Sequence, residues 1–201
     1  MDIVCLDLEG VLVPEIWVNV AQKTGIEALR LTTRDVSDYD ILMKGRLEIL
    51  RKHKLSLVDI QEVIATIRPL DGAMEFLGEL REKTQVLILS DTFTEFAKPL
   101  MKQLAWPTLW CNNLVIGEGG MIEDYKLRIR DGKYHAIQAL KALNFRTFAA
   151  GDSYNDLSMI EESDAGCLFR APEGILASHP HLSQATTYEE FIAVIEEFLH
   201  R

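Results

Sequence analysis

The chain has 201 residues, 48% hydrophobic and 26% charged, with a formal net charge of −10. That length suits one globular domain with a full core, or a core plus a small insert. The acidic balance argues against nucleic acid, whose phosphate backbone is bound by basic surfaces, and no run approaches the roughly 20 apolar residues of a membrane span.

In chain order, Met1–Leu8 reads as a buried strand carrying acids at Asp2 and Asp7 rather than as a signal peptide. Short apolar runs recur at Ile3–Leu8, Val86–Leu89, Thr108–Trp110, Thr147–Ala150 and Gly166–Phe169. Such runs suit strands buried on both faces of a parallel sheet. Helix-like segments alternate with them at Ala73–Lys83, Glu95–Leu104, His135–Leu143, Asp156–Glu162 and Tyr188–Leu199, which predicts an α/β doubly wound domain.

Two stretches break the alternation. Pro14–Pro69 predicts helices at Glu15–Thr24, Tyr39–His53 and Leu57–Ile67, separated by Gly25 and a turn at Ser37-Asp38. We read residues 14–69 as a helical cap inserted in a core made of residues 1–13 and 70–201. Asn113–Ile129, with Gly117-Glu118-Gly119-Gly120 between two β-like runs, predicts a hairpin. Cys5, Cys111 and Cys167 are odd in number and far apart, so a reducing, cytoplasmic setting fits better than a disulfide framework.

Four groups fall at predicted strand ends, where open α/β sheets bind ligands. Asp7-Leu8-Glu9-Gly10 sets two carboxylates at i and i+2, which on an extended chain point the same way; buried, they need partners such as a bound cation, or else they sit in a solvated loop after the strand. Ser90-Asp91-Thr92 offers a hydroxyl and N–H groups to phosphate, or else a helix cap. Lys133 opens a helix after Asp131-Gly132, where a lysine is ordinarily solvated. Gly151-Asp152-Ser153-Tyr154-Asn155-Asp156 sets two acids four apart after an apolar strand, more than a structural turn needs.

Taken together, these motifs resemble the haloacid-dehalogenase superfamily of phosphatases and phosphotransferases. The resemblance implies a Rossmann-like core and Mg²⁺ as cofactor, with Asp7 as nucleophile, Glu9 as general acid/base and Lys133 offsetting the charge of an aspartyl phosphate. It implies phosphate contacts from Ser90, with Asp91 and Thr92 beside it. Asp152 would join Asp7 and the Glu9 carbonyl around the metal, supported by Asn155 and Asp156. Within the superfamily the chain is most similar to the phosphoserine phosphatases, whose cap lies between the first two motifs. There Glu15 and Arg46 match the residues that bind the substrate's amino group and carboxylate. Glu9, in place of the usual Asp, and Asp91-Thr92, in place of Gly-Gly, resemble the subgroup that also transfers phosphate from phosphoserine to homoserine. A homodimer is one candidate assembly.

A phospho-acceptor signalling module would use similar residues. The long insert after Asp7 and the late Gly-Asp-Ser-Tyr-Asn-Asp motif argue against it, and an enzyme for another small phosphorylated metabolite is the nearer alternative. His179-Pro180-His181 lacks a third metal ligand nearby in sequence and reads as a surface loop. Gly117–Gly120 lacks the setting of a dinucleotide fingerprint. Trp17, Trp106 and Trp110 read as core or cap packing.

Overall fold

The computed structural model describes residues 1–200 except 33, 34 and 37. Strand β1 (Asp2–Leu6) leads into α1 (Ile16–Thr24), α2 (Tyr39–His53), α3 (Leu57–Ile64) and α4 (Ala73–Lys83). Then follow β2 (Gln85–Phe93), α5 (Thr94–Gln103), β3 (Thr108–Ile116), β4 (Ile122–Lys126) and α6 (Gly132–Ala142). The chain closes with β5 (Arg146–Gly151), α7 (Leu157–Glu162), β6 (Ala165–Phe169), α8 (Glu173–Ser178), β7 (Ser183–Ala185) and α9 (Tyr188–Leu199).

Among the described residues the strands form one sheet in the order β4-β3-β2-β1-β5-β6-β7. Every neighbouring pair is parallel except β3 and β4. Alternation along β1 explains why both faces are covered. Val4 and Leu6 join the apolar cluster of α4, α5 and α9, whereas Ile3 and Cys5 join that of α6, α7 and α8. The result is a sheet between two helical layers.

Several boundaries differ from the sequence reading. β2 continues through Ser90-Asp91-Thr92 to Phe93, with a shift of register against β3 between Leu89 and Phe93. Phe93 therefore occupies the N-cap of α5 and makes no side-chain cap bond, so the capping role considered for Ser90, Asp91 and Thr92 does not hold. β3 runs on into the hairpin, whose arms pair from Asn113–Lys126 to Ile116–Ile122. α8 and β7 escaped notice because six and three residues carry too little periodicity. Trp17 is buried, but Trp106 and Trp110 are 60% and 43% exposed, which corrects their assignment to packing. His179 Nε2 lies 3.6 Å from Glu161 Oε1 in an irregular segment.

The stretch between β1 and α4 is held by local chemistry and by the sheet. Ser37 of the expected turn lies outside the described residues, while the Asp38 side chain accepts from the N–H groups of Asp40 and Ile41 at the start of α2. Ser56 and Asp59 form a reciprocal capping box on α3, a feature worth about 1 kcal/mol. Trp17 meets Phe96 of α5 edge-on at 5.6 Å, and the apolar side chains of α1–α3 are continuous with the sheet's cluster. Tyr188 in α9 donates to the Val11 carbonyl at 2.7 Å and so fixes the loop that leaves β1.

Candidate active site

The floor of the site is built where β1, β2 and β5 end. Asp7 extends β1, its N–H donating to the Ala150 carbonyl of β5 at 2.9 Å. Lys133, in the first turn of α6, is buried despite the ordinary habit of lysine, with Nζ 2.8 Å from Asp7 Oδ1 and 2.6 Å from Asp156 Oδ1. The other oxygen of Asp156 accepts from the N–H groups of Asp152 and Ser153 and from the Ser153 hydroxyl. Both oxygens of Asp156 are therefore committed to shaping the loop.

Two glycines let this loop close. A Cβ at Gly151 would stand 2.2 Å from the Asp156 carboxyl carbon, and one at Gly10 would stand 2.4 Å from that of Asp152. Gly10 also has φ +76°, a conformation that favours glycine. The turn there means that Asp7 and Glu9 do not follow the extended-chain geometry expected for i and i+2. Asp7 faces Lys133, whereas a Glu9 carboxylate oxygen accepts from the Ile16 N–H of α1 at 2.7 Å.

Asp7, Asp152 and Asp156 each offer an oxygen, all within 4.8 Å of one another. Burial pushes the Asp7 carboxyl well above its ordinary range, Asp156 adds repulsion, and Lys133 opposes both. Burial works against the charge of Lys133, but Asp156 and Asp7 outweigh it and raise its pKa. Three buried carboxylates facing one lysine leave the floor short of positive charge. A divalent cation with oxygen ligands fits this donor set.

At the end of β2, Ser90 and Thr92 are buried, and the Thr92 N–H donates to Ser90 Oγ at 3.2 Å. Asp91 Oδ2 accepts from Asn155 Nδ2 at 2.9 Å and lies 3.9 Å from Lys133 Nζ. The opposite wall comes from Glu9, Glu15, Trp17, Tyr39 and Arg46, among others. Arg46 is buried with its guanidinium carbon 4.5 Å above the centre of the Trp17 ring system. One of its nitrogens donates to the Leu31 carbonyl at 2.7 Å, while Nε is buried without a hydrogen-bond partner among the described residues. Burial lowers the Arg46 pKa to about 10 against the opposing pull of Glu9, Tyr39 and Glu15. Burial, with repulsion from Glu15, raises Glu9 to about 8.

One cleft of about 90 Å³ gathers the residues singled out in the sequence, with Asp156 just beneath its lining. Sequence reasoning missed Tyr39, Thr32 and Phe93, which also line it, and took Trp17 for packing alone. Trp17 does both. Nothing local in the sequence marks Tyr39, because its position depends on how α2 meets the end of β2.

The model of haloacid dehalogenase-like hydrolases matches residues 1–164. The chain is 56% identical over 190 residues to phosphoserine phosphatase ThrH of Pseudomonas aeruginosa, covering 94% of this chain and 93% of that protein. It is 55% identical to a phosphoserine phosphatase of Pseudomonas syringae pv. tomato, covering 94% and 80%. A solved structure of phosphoserine phosphatase in apo form superposes with a TM-score of 0.74 at 20% identity, covering 92% of each chain. At that identity the likeness concerns the fold.

Proposed function

This chain belongs to the haloacid dehalogenase-like hydrolase family, and from that premise we propose that it is a phosphoserine phosphatase that works through an aspartyl phosphate on Asp7 and also passes the phosphoryl group to homoserine. One observation carries the reading. A buried Asp7–Lys133 pair lies at the bottom of a small cleft whose opposite wall holds a buried guanidinium whose Nε–H has no partner among the described residues.

In the first half-reaction an Asp7 oxygen attacks phosphorus and the bond to the serine oxygen breaks. Lys133, the Ser90 hydroxyl and the N–H groups near Asp91 and Thr92 offset charge on the phosphoryl oxygens. Glu9, its pKa raised to about 8, carries a proton at neutral pH for the departing alkoxide. In the second half, water or an alcohol attacks phosphorus, returns a proton to Glu9 and breaks the bond to Asp7. Splitting the transfer avoids activating acceptor and leaving group at once.

Asp7, Asp152 and the Glu9 carbonyl are the proposed Mg²⁺ ligands, and the ion would supply further neutralisation of the phosphoryl charge. Asn155 and Asp156 hold that loop in shape. Residues 14–69 act as the cap: Arg46 pairs with the substrate carboxylate, a match of guanidinium fork to acid, and Glu15 takes the ammonium group. The three cysteines, all outside disulfides and buried, fit a reducing cytoplasm. A homodimer is the assembly to test by sedimentation.

Phosphorus NMR of phosphoserine with and without homoserine tests the reading. Continuous phosphate release is expected, whereas a signalling module would stop after about one phosphoryl group per chain. Phosphohomoserine is expected without ATP, and Glu9→Asp, one methylene shorter, shifts the ratio toward hydrolysis. Phosphate release without phosphohomoserine at saturating homoserine removes the transferase and leaves the phosphatase.

A further inference from the structure

The cleft over Asp7 adjoins a larger outer chamber of about 910 Å³, walled in part by Tyr125, Ile129, Arg130 and Tyr154. Tyr39, Asp91, Lys133 and Asn155 line both spaces and form the neck between them. Asp91, Lys133 and Asn155 are already tied to one another or to the floor. Tyr39, of these four, comes from the helices that follow β1.

Its hydroxyl donates to the Asp91 carbonyl at 3.1 Å, an oxygen that also accepts from Asn112 Nδ2 at 3.3 Å. The next residue, Asp40, accepts from the Tyr125 hydroxyl at 2.5 Å, and the two tyrosine rings meet edge-on with centroids 5.8 Å apart. The first turn of α2 is thus fastened in both directions. One hydroxyl reaches from α2 to the end of β2, and another reaches from β4 to α2. Tyr39 and Asp91, the two ends of the first of these bonds, both line the cleft and the outer chamber.

We propose that Tyr39 is a positioning residue whose hydroxyl, bonded to the Asp91 carbonyl, closes the neck and governs what passes between the outer chamber and the cleft over Asp7. The geometry stands on the contacts just described. The chemical consequence rests on the function proposed above: an open neck admits bulk water and loosens the hold on a bound phosphoester, while the reacting groups on the floor keep their arrangement.

The test uses the full chain carrying Trp106→Phe and Trp110→Phe, both at exposed positions, so that Trp17, which lines the inner cleft, is the remaining tryptophan. Tyr39→Phe keeps the ring and removes the hydroxyl. Acrylamide quenching of Trp17 is expected to rise about two- to tenfold, the population change that one net hydrogen bond corresponds to. The comparison variant is Gln61→Ala, which removes a side-chain bond to the Glu95 carbonyl at 2.7 Å, away from both chambers. It is expected to leave quenching unchanged.

With phosphoserine, Tyr39→Phe is expected to raise KM by a similar factor at constant kcat. Unchanged quenching in Tyr39→Phe, an equal rise in Gln61→Ala, or a fall in kcat that merely follows a lower melting temperature would overturn the assignment. If quenching behaves as expected but the wild-type chain releases no phosphate from phosphoserine, the neck stands and the proposed function fails.

Discussion

The floor and the wall of the cleft solve opposite problems. On the floor, Asp156 accepts from Lys133, two backbone N–H groups and a hydroxyl, and Lys133 spans Asp156 and Asp7 within 2.8 Å. The ends of β1 and β5 and the start of α6 hold these groups together, although the carboxylates outnumber the one lysine. On the wall, Arg46 keeps a buried Nε–H without a partner among the described residues, and Glu9 is pushed to about 8 by burial and by Glu15. A buried donor left unpaired costs about 1–3 kcal/mol. The contrast teaches a division of labour: the groups of the floor are held by bonds within the chain, whereas the wall keeps one buried donor that no described residue pairs.

Substitutions on the two sides should therefore differ in kind. Asp7→Asn should reduce turnover by at least about 10⁴-fold, as loss of a nucleophile commonly does, with the fold intact because Asp156 still pairs with Lys133. Steady-state phosphate release and calorimetry on one preparation check both halves, and substantial residual activity breaks the distinction at its root. Asp152→Ala should raise the Mg²⁺ requirement by about 100-fold or more, since an anionic oxygen is lost beside Asp7. An unchanged metal titration would remove Asp152 from the ligand set.

On the wall, Arg46→Ala should cost on the order of 2–4 kcal/mol with phosphoserine, a factor of tens to hundreds in kcat/KM, but little with a phosphoester lacking a carboxylate. Equal losses on both substrates would make Arg46 structural and erase the contrast. The smallest effect lies away from both regions. Hydrogen bonds from Arg146, reinforced by its charge, hold the Asp2 carboxyl below its ordinary 3.8 despite some burial. Its stabilising contribution is present above about pH 3.8 and fades as pH falls through the lower folded value. Because the two side chains are 26% and 34% exposed, Asp2→Asn should destabilise by less than about 1 kcal/mol at neutral pH and by progressively less as pH falls below 3.8 in denaturant titrations.

How much of this was legible beforehand follows the same division. Most of the floor could be read because its acids and hydroxyl come at the end of apolar runs that suit buried strands: Asp7 after Ile3–Leu6, Ser90 after Val86–Leu89, Asp152 after Thr147–Ala150 and Gly151. Lys133 could be read as a member of that group through family resemblance, but not as a buried residue, because its partners are 23 and 126 positions away. On the wall, Arg46 and Glu15 were accessible only through resemblance, since nothing in a helix's own sequence tells which charge turns inward. Tyr39 was not accessible at all. Its role depends on the angle at which α2 meets the end of β2, and on the extension of β2 past Leu89, where Ser90-Asp91-Thr92 had read as a turn.

The account turns on whether phosphate is carried by Asp7. The direct measurement is to quench the wild-type chain with acid during turnover of phosphoserine, digest it, and locate the phosphoryl group by mass spectrometry. Borohydride reduction serves as an independent mark of an acyl phosphate. The account predicts one phosphoryl group on the peptide containing Asp7, reduction at that same residue, and neither mark in Asp7→Asn. Phosphate on a serine, histidine or cysteine, or turnover with no labelled peptide at any quench time, would contradict it.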